Sequence, residues 1–488
     1  MNGRPSFLLA LIAVALAAVI AASQSKPKPA KPPKPKAVER YNLAIQLGNQ
    51  GRWQEATEAY KQAIKIQPDF ADAYNNLGNV YMRLGETAQA VDIFKQSIRA
   101  NPGFAHPHCN LSGAYYALGK YEDAVEEAKQ AARLDPAFAE ARYNLGAAYG
   151  KLGRYQEAVV EYKEAVRLKP DYFTAYNNLG DALQQTGRPN DALEAFLQAI
   201  RLKPDYAKAH YNLASVFVGL GRLSEAIESN KLAIRYDPNY ADAHVNLCAV
   251  YNKLHRPEDA FQACAEAIRL KPDSAEAHNN SGLALVELKR YGEAIEAYQR
   301  AISRKPDRNF IRSNLGEAYR SAGRYEEAIA TFKLAIELKP GDATAHCGLG
   351  LAYGSAGRFQ DAVESFARAI QIDRDYADAH HNLAVACEQL ERWQDAIEAL
   401  KQVIRLRPAD AEARYDLGYN YSKLTRWPEA RDAFKAATQL KGDFARAHFA
   451  LGVAFLNLGD RDSALATHRV LFGLDPNLAK QLMDQIPK

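Results

Sequence analysis

Apolar and polar residues alternate along the chain with the period of an amphipathic helix, and the pattern restarts at every 34th position. Within 139–172 a first apolar stripe, spaced three or four positions apart, is formed by Ala141, Leu145, Ala148, Tyr149 and Leu152. A second stripe is formed by Ala158, Tyr162, Ala165 and Val166. Gly153 lies between the stripes and Pro170 follows the second, and both residue types typically end helices. The pattern predicts two helices joined by a tight turn, with Asp171 as the N-cap of the next helix.

This unit repeats without a gap over 37–478, which gives 13 copies. We number the copies 1 to 13 and the positions in each copy 1 to 34, so that 139–172 is copy 4. Position 7 is leucine in all copies except one, and position 32 is proline in 11 of them. Position 20 is always alanine: Ala56, Ala90, Ala124, Ala158, Ala192, Ala226, Ala260, Ala294, Ala328, Ala362, Ala396, Ala430 and Ala464. Only a small side chain lets two helix backbones approach closely, so position 20 is predicted to lie between the two helices.

The repeat resembles the tetratricopeptide repeat family, which has a small residue at position 8, an aromatic residue at 11, alanine at 20 and proline at 32. The resemblance implies an all-α fold, namely a right-handed superhelical solenoid of 13 stacked helix-turn-helix hairpins. The first helix of each hairpin would line a concave groove. Residues 479–488 continue with an apolar face after Asn477, a candidate N-cap, and are predicted to form a helix that covers the last repeat.

The N-terminal segment differs in composition from the repeats. An unbroken apolar run, from Phe7 to Ala22, follows the basic residue Arg4. We interpret residues 1–23 as a signal peptide whose cleavage leaves the protein in the periplasm of a bacterial cell envelope. The alternative is an uncleaved membrane anchor with the repeats in the cytoplasm, which the lysines downstream would favour. Residues 24–36 are rich in lysine and proline and are predicted to form an extended linker.

The charge of the repeats argues against a nucleic-acid partner. The whole chain has a formal charge of +4. Six of the 62 basic residues and none of the 58 acidic residues precede residue 37, which leaves −2 for the rest. Phosphate binding requires a clustered excess of Lys and Arg, and the repeats lack one.

The cysteines and histidines predict no metal site or cofactor. The five cysteines show no CxxC spacing. Histidine occupies position 4 in seven copies, at His108, His210, His244, His278, His346, His380 and His448. Equivalent residues of stacked repeats lie on the order of 10 Å apart, too far to share a metal ion, so we expect packing residues. In the family that the repeat resembles, positions 8 and 24 face each other. Cys248 and Cys264 would therefore form either a disulfide or, as we prefer, two buried thiols.

Asparagine at position 6 is the candidate binding feature. It occurs in ten copies: Asn42, Asn76, Asn110, Asn144, Asn178, Asn212, Asn246, Asn280, Asn314 and Asn382. A carboxamide both donates and accepts, so a row of them can hydrogen-bond the backbone of an extended peptide without reading its side chains. Similar asparagine ladders line the repeat superhelix of the O-linked N-acetylglucosamine transferases. The alternative is structural: the amides satisfy local backbone or neighbouring helices.

We interpret the chain as a non-enzymatic scaffold that binds other proteins or extended peptides in the groove, with membrane association limited to the N-terminal segment. Only ten residues follow the last repeat, so no catalytic domain is expected. One alternative is a substrate-binding subunit that acts with a separately encoded glycosyltransferase. Another is a structural spacer without a peptide ligand.

Local departures from the repeat predict where the array is weakest. The glycine at position 15 becomes His255 in copy 7 and Lys289 in copy 8. Copy 9 replaces two small residues with Asn309 and Ile311. We expect these three copies to exchange their amide hydrogens first.

Overall fold

The structure, a computed structural model, describes residues 34–486, and the regular structure in this range consists of 27 helices. They form two compact units, residues 34–238 and 239–486. The predicted signal or anchor segment and all but the end of the linker lie outside the described residues. None of the helices in 34–486 has both the length and the apolar character needed to span a bilayer.

The first unit contains six consecutive hairpins, one for each of copies 1 to 6. Its helices are α1 Pro35–Asn49, α2 Trp53–Ile66, α3 Ala71–Arg83, α4 Thr87–Ala100, α5 Ala105–Ala117, α6 Tyr121–Leu134, α7 Ala139–Lys151, α8 Tyr155–Leu168, α9 Phe173–Gln185, α10 Pro189–Leu202, α11 Ala207–Gly219 and α12 Leu223–Tyr236. Odd-numbered helices are the first helices of their hairpins. Each helix packs against the next, and first helices of neighbouring hairpins also touch, as α5 does with α7.

The second unit contains seven hairpins and a final helix. Its helices are α13 Ala241–Lys253, α14 Pro257–Leu270, α15 Ala275–Glu287, α16 Tyr291–Arg304, α17 Asn309–Ser321, α18 Tyr325–Leu338, α19 Ala343–Ser355, α20 Phe359–Ile372, α21 Ala377–Gln389, α22 Trp393–Leu406, α23 Ala411–Lys423, α24 Trp427–Leu440, α25 Ala445–Asn457, α26 Arg461–Leu474 and α27 Pro476–Gln485. The all-α fold of consecutive hairpins is therefore confirmed.

Small residues hold the two helices of each hairpin together, as predicted. All 13 alanines at position 20 have no solvent exposure. In seven copies an aromatic ring at position 24 packs on a glycine at position 8. In copy 4 a Cβ atom on Gly146 would lie only 2.9 Å from the ring of Tyr162, so a larger residue would push the two helices apart.

The turn inside each hairpin requires a left-handed residue at position 15. In the first unit glycine fills this position in all six copies, with φ between 72° and 78°. In the second unit His255 and Lys289 adopt the same conformation with φ of 52° and 58°, as the sequence predicts. Glu391 and Thr425 also do so, with φ of 56° and 55°. A side chain is strained in this region, so four turns of the second unit are less favourable than those of the first.

The predicted helix caps are partly wrong. Asp171 does not cap α9, because that helix begins at Phe173 and its N-cap is Tyr172, which makes no side-chain bond. The cap is one residue later, at position 34, and a side chain caps there when it is Asp or Ser. Asp342, for example, accepts from the backbone of Thr344 and Ala345.

At both ends of the repeat array, the helix begins earlier than the sequence predicts. At the N-terminus, α1 begins at Pro35, inside the predicted linker, because proline fits the first turn of a helix. The backbone N–H of Lys34 donates to Oε1 of Gln67 at 2.7 Å. At the C-terminus the capping helix α27 begins at Pro476 and is capped by Asp475, so Asn477 lies inside the helix and is not its cap.

The preference for two free thiols at Cys248 and Cys264 is wrong. The two residues form a disulfide that joins α13 to α14 within one hairpin, with a Cα–Cα distance of 5.4 Å. Cys109, Cys347 and Cys387 are buried free cysteines, as predicted. The bridge makes copy 7 the one hairpin among the described residues whose two helices are covalently tied.

Candidate functional site

The first unit contains a cavity of about 480 Å³ on the face formed by its first helices. Four successive first helices line it: α5 through Tyr116, α7 through Gly150, α9 through Asn178 and α11 through Lys208. A single cavity that touches four neighbouring helices requires their common face to be concave there. We call this face of the unit, formed by the first helices, the groove.

Tyrosine rings form much of the cavity wall. Tyr116, Tyr143, Tyr155 and Tyr162 all line it. Tyr162 is only 4% exposed, and burial raises its pKa. Burial likewise raises the pKa of Tyr143, although the amide of Asn178, which donates to the Tyr143 hydroxyl at 3.1 Å, lowers it in part. These two phenols therefore remain neutral near pH 7, and the wall offers flat, uncharged surfaces.

The charges at the cavity belong to one acid and two bases. Asp181 is solvent-accessible, but the surrounding groove displaces enough water to raise the pKa of its carboxyl group. Lys208 and Lys151 oppose that shift through their positive charge. Within the part of the chain that the structure describes, Asp181 forms no hydrogen bond and no close ion pair. Its carboxylate is therefore available to a donor on a ligand.

The asparagines at position 6 mostly donate their amide N–H groups to the preceding copy. Nine of the ten are partly buried and Asn42 is exposed. The acceptor is the residue 35 positions earlier: Tyr41 for Asn76, Asn75 for Asn110, Cys109 for Asn144, Tyr143 for Asn178, Asn177 for Asn212 and Asn279 for Asn314, at 2.9 to 3.1 Å. Asn382 makes a longer contact of 4.0 Å with Sγ of Cys347. The amide nitrogens thus make the contacts with neighbouring helices that the structural alternative predicted.

Three of these bonds extend into relays because position 5 is asparagine in copies 2, 5 and 8, and the shortest relay runs from Asn314 through Asn279 to Asn280. Asn212 donates to Asn177, Asn177 donates to Asn178 at 3.2 Å, and Asn178 donates to Tyr143. The same relay runs from Asn110 through Asn75 and Asn76 to Tyr41. The oxygens at the start of each relay face no donor within the described residues. Peptide binding by the ladder remains a prediction, now limited to the amide oxygens.

The structure brings some of the predicted site residues to cavities and leaves the others outside them. Asn144 and Asn178 line the cavity of 480 Å³. Asn76 lines a second cavity of about 280 Å³ in the first unit, and Asn382 lines one of about 300 Å³ in the second unit. The other six do not line these three cavities: Asn42, Asn110, Asn212, Asn246, Asn280 and Asn314.

The histidines at position 4 have a role that the sequence pattern did not reveal. Their Nε2 atoms donate to the backbone carbonyl six residues earlier, at position 32 of the preceding copy, in His210, His278, His346, His380 and His448. The distances are 2.9 to 3.1 Å. Each of these histidines holds the loop between two repeats. Across 34–486, no three His, Cys, Asp or Glu side chains come together as metal ligands.

Models of known families match most of the repeat region. Models described as TPR repeat or tetratricopeptide repeat match 48–85, 71–104, 113–153, 151–187 and 177–244. A model described as the C-terminal domain of cilia and flagella-associated protein 70 matches 272–470. No curated protein matches the chain in sequence at a significant level.

Solved structures with similar folds include several helical repeat proteins. YrrB, described as a TPR protein with an unusual peptide-binding site, is 26% identical over 38% of this chain and 95% of its own, with a TM-score of 0.33. The Cut9–Hcn1 assembly of the APC/C is 14% identical over 93% of this chain and 97% of its own, with a TM-score of 0.42. Yeast Tom70 is 15% identical over 80% of this chain and 96% of its own, with a TM-score of 0.38.

Proposed function

The chain belongs to the tetratricopeptide repeat family, and from this premise we propose that it is a non-enzymatic scaffold that binds extended peptide segments of other proteins in its groove. Tetratricopeptide repeat proteins bind other proteins or peptides, typically without catalysis. The observation on which the proposal rests is the cavity of 480 Å³ between Asn144 and Asn178.

The groups around this cavity suit an extended backbone. Asn144 donates its N–H to Cys109, so its oxygen can accept a main-chain N–H from a ligand. Asp181 is a second acceptor without a partner among the described residues, and Lys151 and Lys208 are donors. Because a peptide backbone alternates donors and acceptors, these groups can fix its direction, while the tyrosine rings pack against its side chains.

The test is a selection from a displayed library of random pentadecapeptides with the full chain, followed by affinity measurements. Replacing Asn144 and Asn178 together with alanine should weaken the selected peptides about tenfold, since each hydrogen bond contributes about 0.5 to 1.5 kcal/mol. The matched control replaces Asn280 and Asn314 with alanine, two ladder residues that line none of the three cavities. Both pairs should lower the melting temperature to a similar small extent.

Equal loss of affinity in both double variants would show that the amides act only through stability. Failure to select any peptide would argue against groove binding and favour a structural spacer.

We further propose that the mature protein lies in an oxidising compartment of a cell envelope. The apolar run from Phe7 to Ala22 supports export, and the disulfide of Cys248 and Cys264 supports an oxidising compartment, because cytosolic thiols are kept reduced. Protein isolated from native cells should begin near Gln24. It should also show two alkylation-resistant cysteines until it is reduced. A retained N-terminus with five reactive thiols after denaturation would instead support a cytoplasm-facing anchor.

A further inference from the structure

The three cavities described above have one construction in common. Each lies beside a glycine at position 12: Gly48 in copy 1, Gly150 in copy 4 and Gly354 in copy 10. In all three, the cavity is lined by positions 9, 12, 13, 17 and 24 of that copy and by positions 6, 9, 10 and 13 of the next. We call these cavities the copy 1, copy 4 and copy 10 sockets. Their volumes are about 280, 480 and 300 Å³.

The glycines at two of these sites have no role in the backbone or in helix packing. Elsewhere in copy 4 glycine is needed for two different reasons. Gly153 has a positive φ of 72°, and a Cβ on Gly146 would collide with the ring of Tyr162. Neither reason applies to Gly150 or Gly354, which lie in helices without a positive φ. A Cβ atom on either would meet no atom within 4 Å. Since glycine is disfavoured within helices, the effect of these residues is to leave the space open.

The walls of the sockets are alike, while their rims differ. Positions 17 and 24 are aromatic in all three: Trp53 and Tyr60, Tyr155 and Tyr162, Phe359 and Phe366. The ladder residue of the next copy lies beside each socket, namely Asn76, Asn178 and Asn382. Position 9 of the next copy varies, with Asn79, Asp181 and Val385. The chemistry that the sockets share is therefore an aromatic wall next to an amide, and it is not a charge.

We propose that each of the three sockets holds a bulky apolar side chain, aromatic or leucine-like, of an extended peptide segment of a partner protein. This inference rests on the proposed function. A cavity of about 150 Å³ already holds a benzene ring, so each socket has room for one such side chain and part of its backbone. The amide oxygen of the adjacent ladder residue can accept from the peptide bond that bears the side chain; in Asn76 and Asn178 it would use its second acceptor position, because Asn75 and Asn177 already donate to the first.

The occupant is a segment of a partner protein rather than the lysine- and proline-rich linker of this chain. Residues 26–36 contain only Lys, Pro and Ala, and none of these fills an aromatic-walled cavity of this size. The rims add a preference within the apolar class. Asp181 can accept from an indole N–H or a phenol in the copy 4 socket. Val385 and Leu351 make the rim of the copy 10 socket aliphatic.

The sockets can be filled without disturbing the fold. Position 12 of copy 3 is Tyr116, so the repeat accommodates tyrosine there. The test variant replaces Gly150 and Gly354 with tyrosine. The control replaces Gly292 with tyrosine, because Gly292 is exposed in the first turn of α16 and has no neighbour within 4 Å of an added Cβ. Melting temperatures should not fall in either variant, since tyrosine is a better helix former than glycine.

The measurement uses the full chain and the peptides selected from the random pentadecapeptide library. We expect enrichment of Trp, Phe, Tyr or Leu, and at least a tenfold loss of affinity in the double tyrosine variant, with no loss in the Gly292 control. Selected peptides that lack bulky apolar residues, or that bind the double variant as well as the parent, would contradict the proposal that the sockets hold such side chains. If their binding still depended on Asn144 and Asn178, the proposed function would stand without them. Two further outcomes would overturn the proposal. Loss of a chain dimer in the double variant would assign the sockets to a second copy. A change in the selected peptides on removing residues 1–23 would assign them to this chain's own segment.

Discussion

At the scale of single residues, position 15 shows how strongly a repeat depends on one dihedral angle. Nine glycines occupy the left-handed region at this turn, and four other residues are forced into it. Of these four residues Thr425 is the most strained, because a residue with a β-branched side chain rarely adopts a positive φ. The strain persists because the flanking helices fix the geometry of the turn.

Replacing Thr425 with glycine should therefore stabilise the second unit. The left-handed region costs a non-glycine residue about 1 to 2 kcal/mol, and the extra entropy of unfolded glycine offsets about half of this gain. We expect a net gain of about 0.5 to 1 kcal/mol, measured as a higher urea midpoint. The reverse control, Gly357 to alanine at φ of 76°, should destabilise the same unit. A gain in both variants would refute the argument from φ.

A second residue-scale effect concerns pH. His381 lies 3.6 Å from the carboxylate of Asp416, which occupies position 6 in copy 12 in place of asparagine. Asp416 raises the pKa of His381 against the lowering effect of burial, and Asp410 and Glu388 add smaller contributions in the same direction. Burial raises the pKa of Glu388 itself.

Because the folded pKa of His381 exceeds the unfolded value of about 6.5, the stabilisation by this pair is complete below that pH and is lost as pH rises through the folded pKa. The difference in urea midpoint between the parent and His381→Gln should thus be larger at pH 6 than at pH 8.5. We expect only a few tenths of a kcal/mol, since the side chain is 40% exposed. A difference that grows towards pH 8.5 would contradict the assigned sign.

At the scale of elements, the hairpin is the unit that the sequence predicts best. The alanine at position 20 is buried in every copy, and in seven copies the ring at position 24 lies against the glycine at position 8, because two helices and a short turn leave few other arrangements. The helix caps were predicted less well. Asp171 and Tyr172 are neighbours, and the pattern alone does not say which of them begins the helix.

The hairpin of copy 7 differs from the others through its disulfide. Reduction should loosen α13 and α14, because the bridge closes a loop with a sequence separation of 16, for which chain entropy predicts about 3 kcal/mol. Hydrogen exchange measured with and without a reductant should show faster exchange in these two helices, as should the variant with both cysteines replaced by alanine. Exchange in α5 and α6, which include the free Cys109, serves as the internal control and should not change. Equal exchange in copy 7 before and after reduction would show that the bridge adds no local stability.

At the scale of the whole molecule, the bridge changes the expectation that copies 7 to 9 are the weakest. Copy 7 is strained at His255 but tied by a disulfide. Copies 11 and 12 are strained at Glu391 and Thr425 and have no such tie within the described residues. In an array stabilised by nearest neighbours, the strained hairpins without a bridge should open first, so copies 11 and 12 join copy 8 in this group, whereas copy 9 has the unstrained Gly323 at its turn.

The fold could be derived almost entirely from the sequence, whereas the site could be derived only in part. The regular period of the repeat determines helices, turns and their order, because each copy buries the same positions. The cavities depend on what neighbouring copies place beside one another. Asn144 and Asn178 were identified, but Asp181, Gly150 and the relay through Asn177 act across copies and leave no mark in a single repeat.

The placement of the copy 1 and copy 4 sockets in one unit has a further consequence. They lie three repeats apart, which is about 30 Å at roughly 10 Å per repeat. An extended chain advances about 3.3 Å per residue, so two side chains that fill both sockets would be separated by about nine residues. A partner would then be recognised by the interval between two anchoring side chains, one in each socket, rather than by a contiguous motif. Segments with the right anchors at the wrong interval would reach only one socket and lose the gain in effective concentration that the second provides.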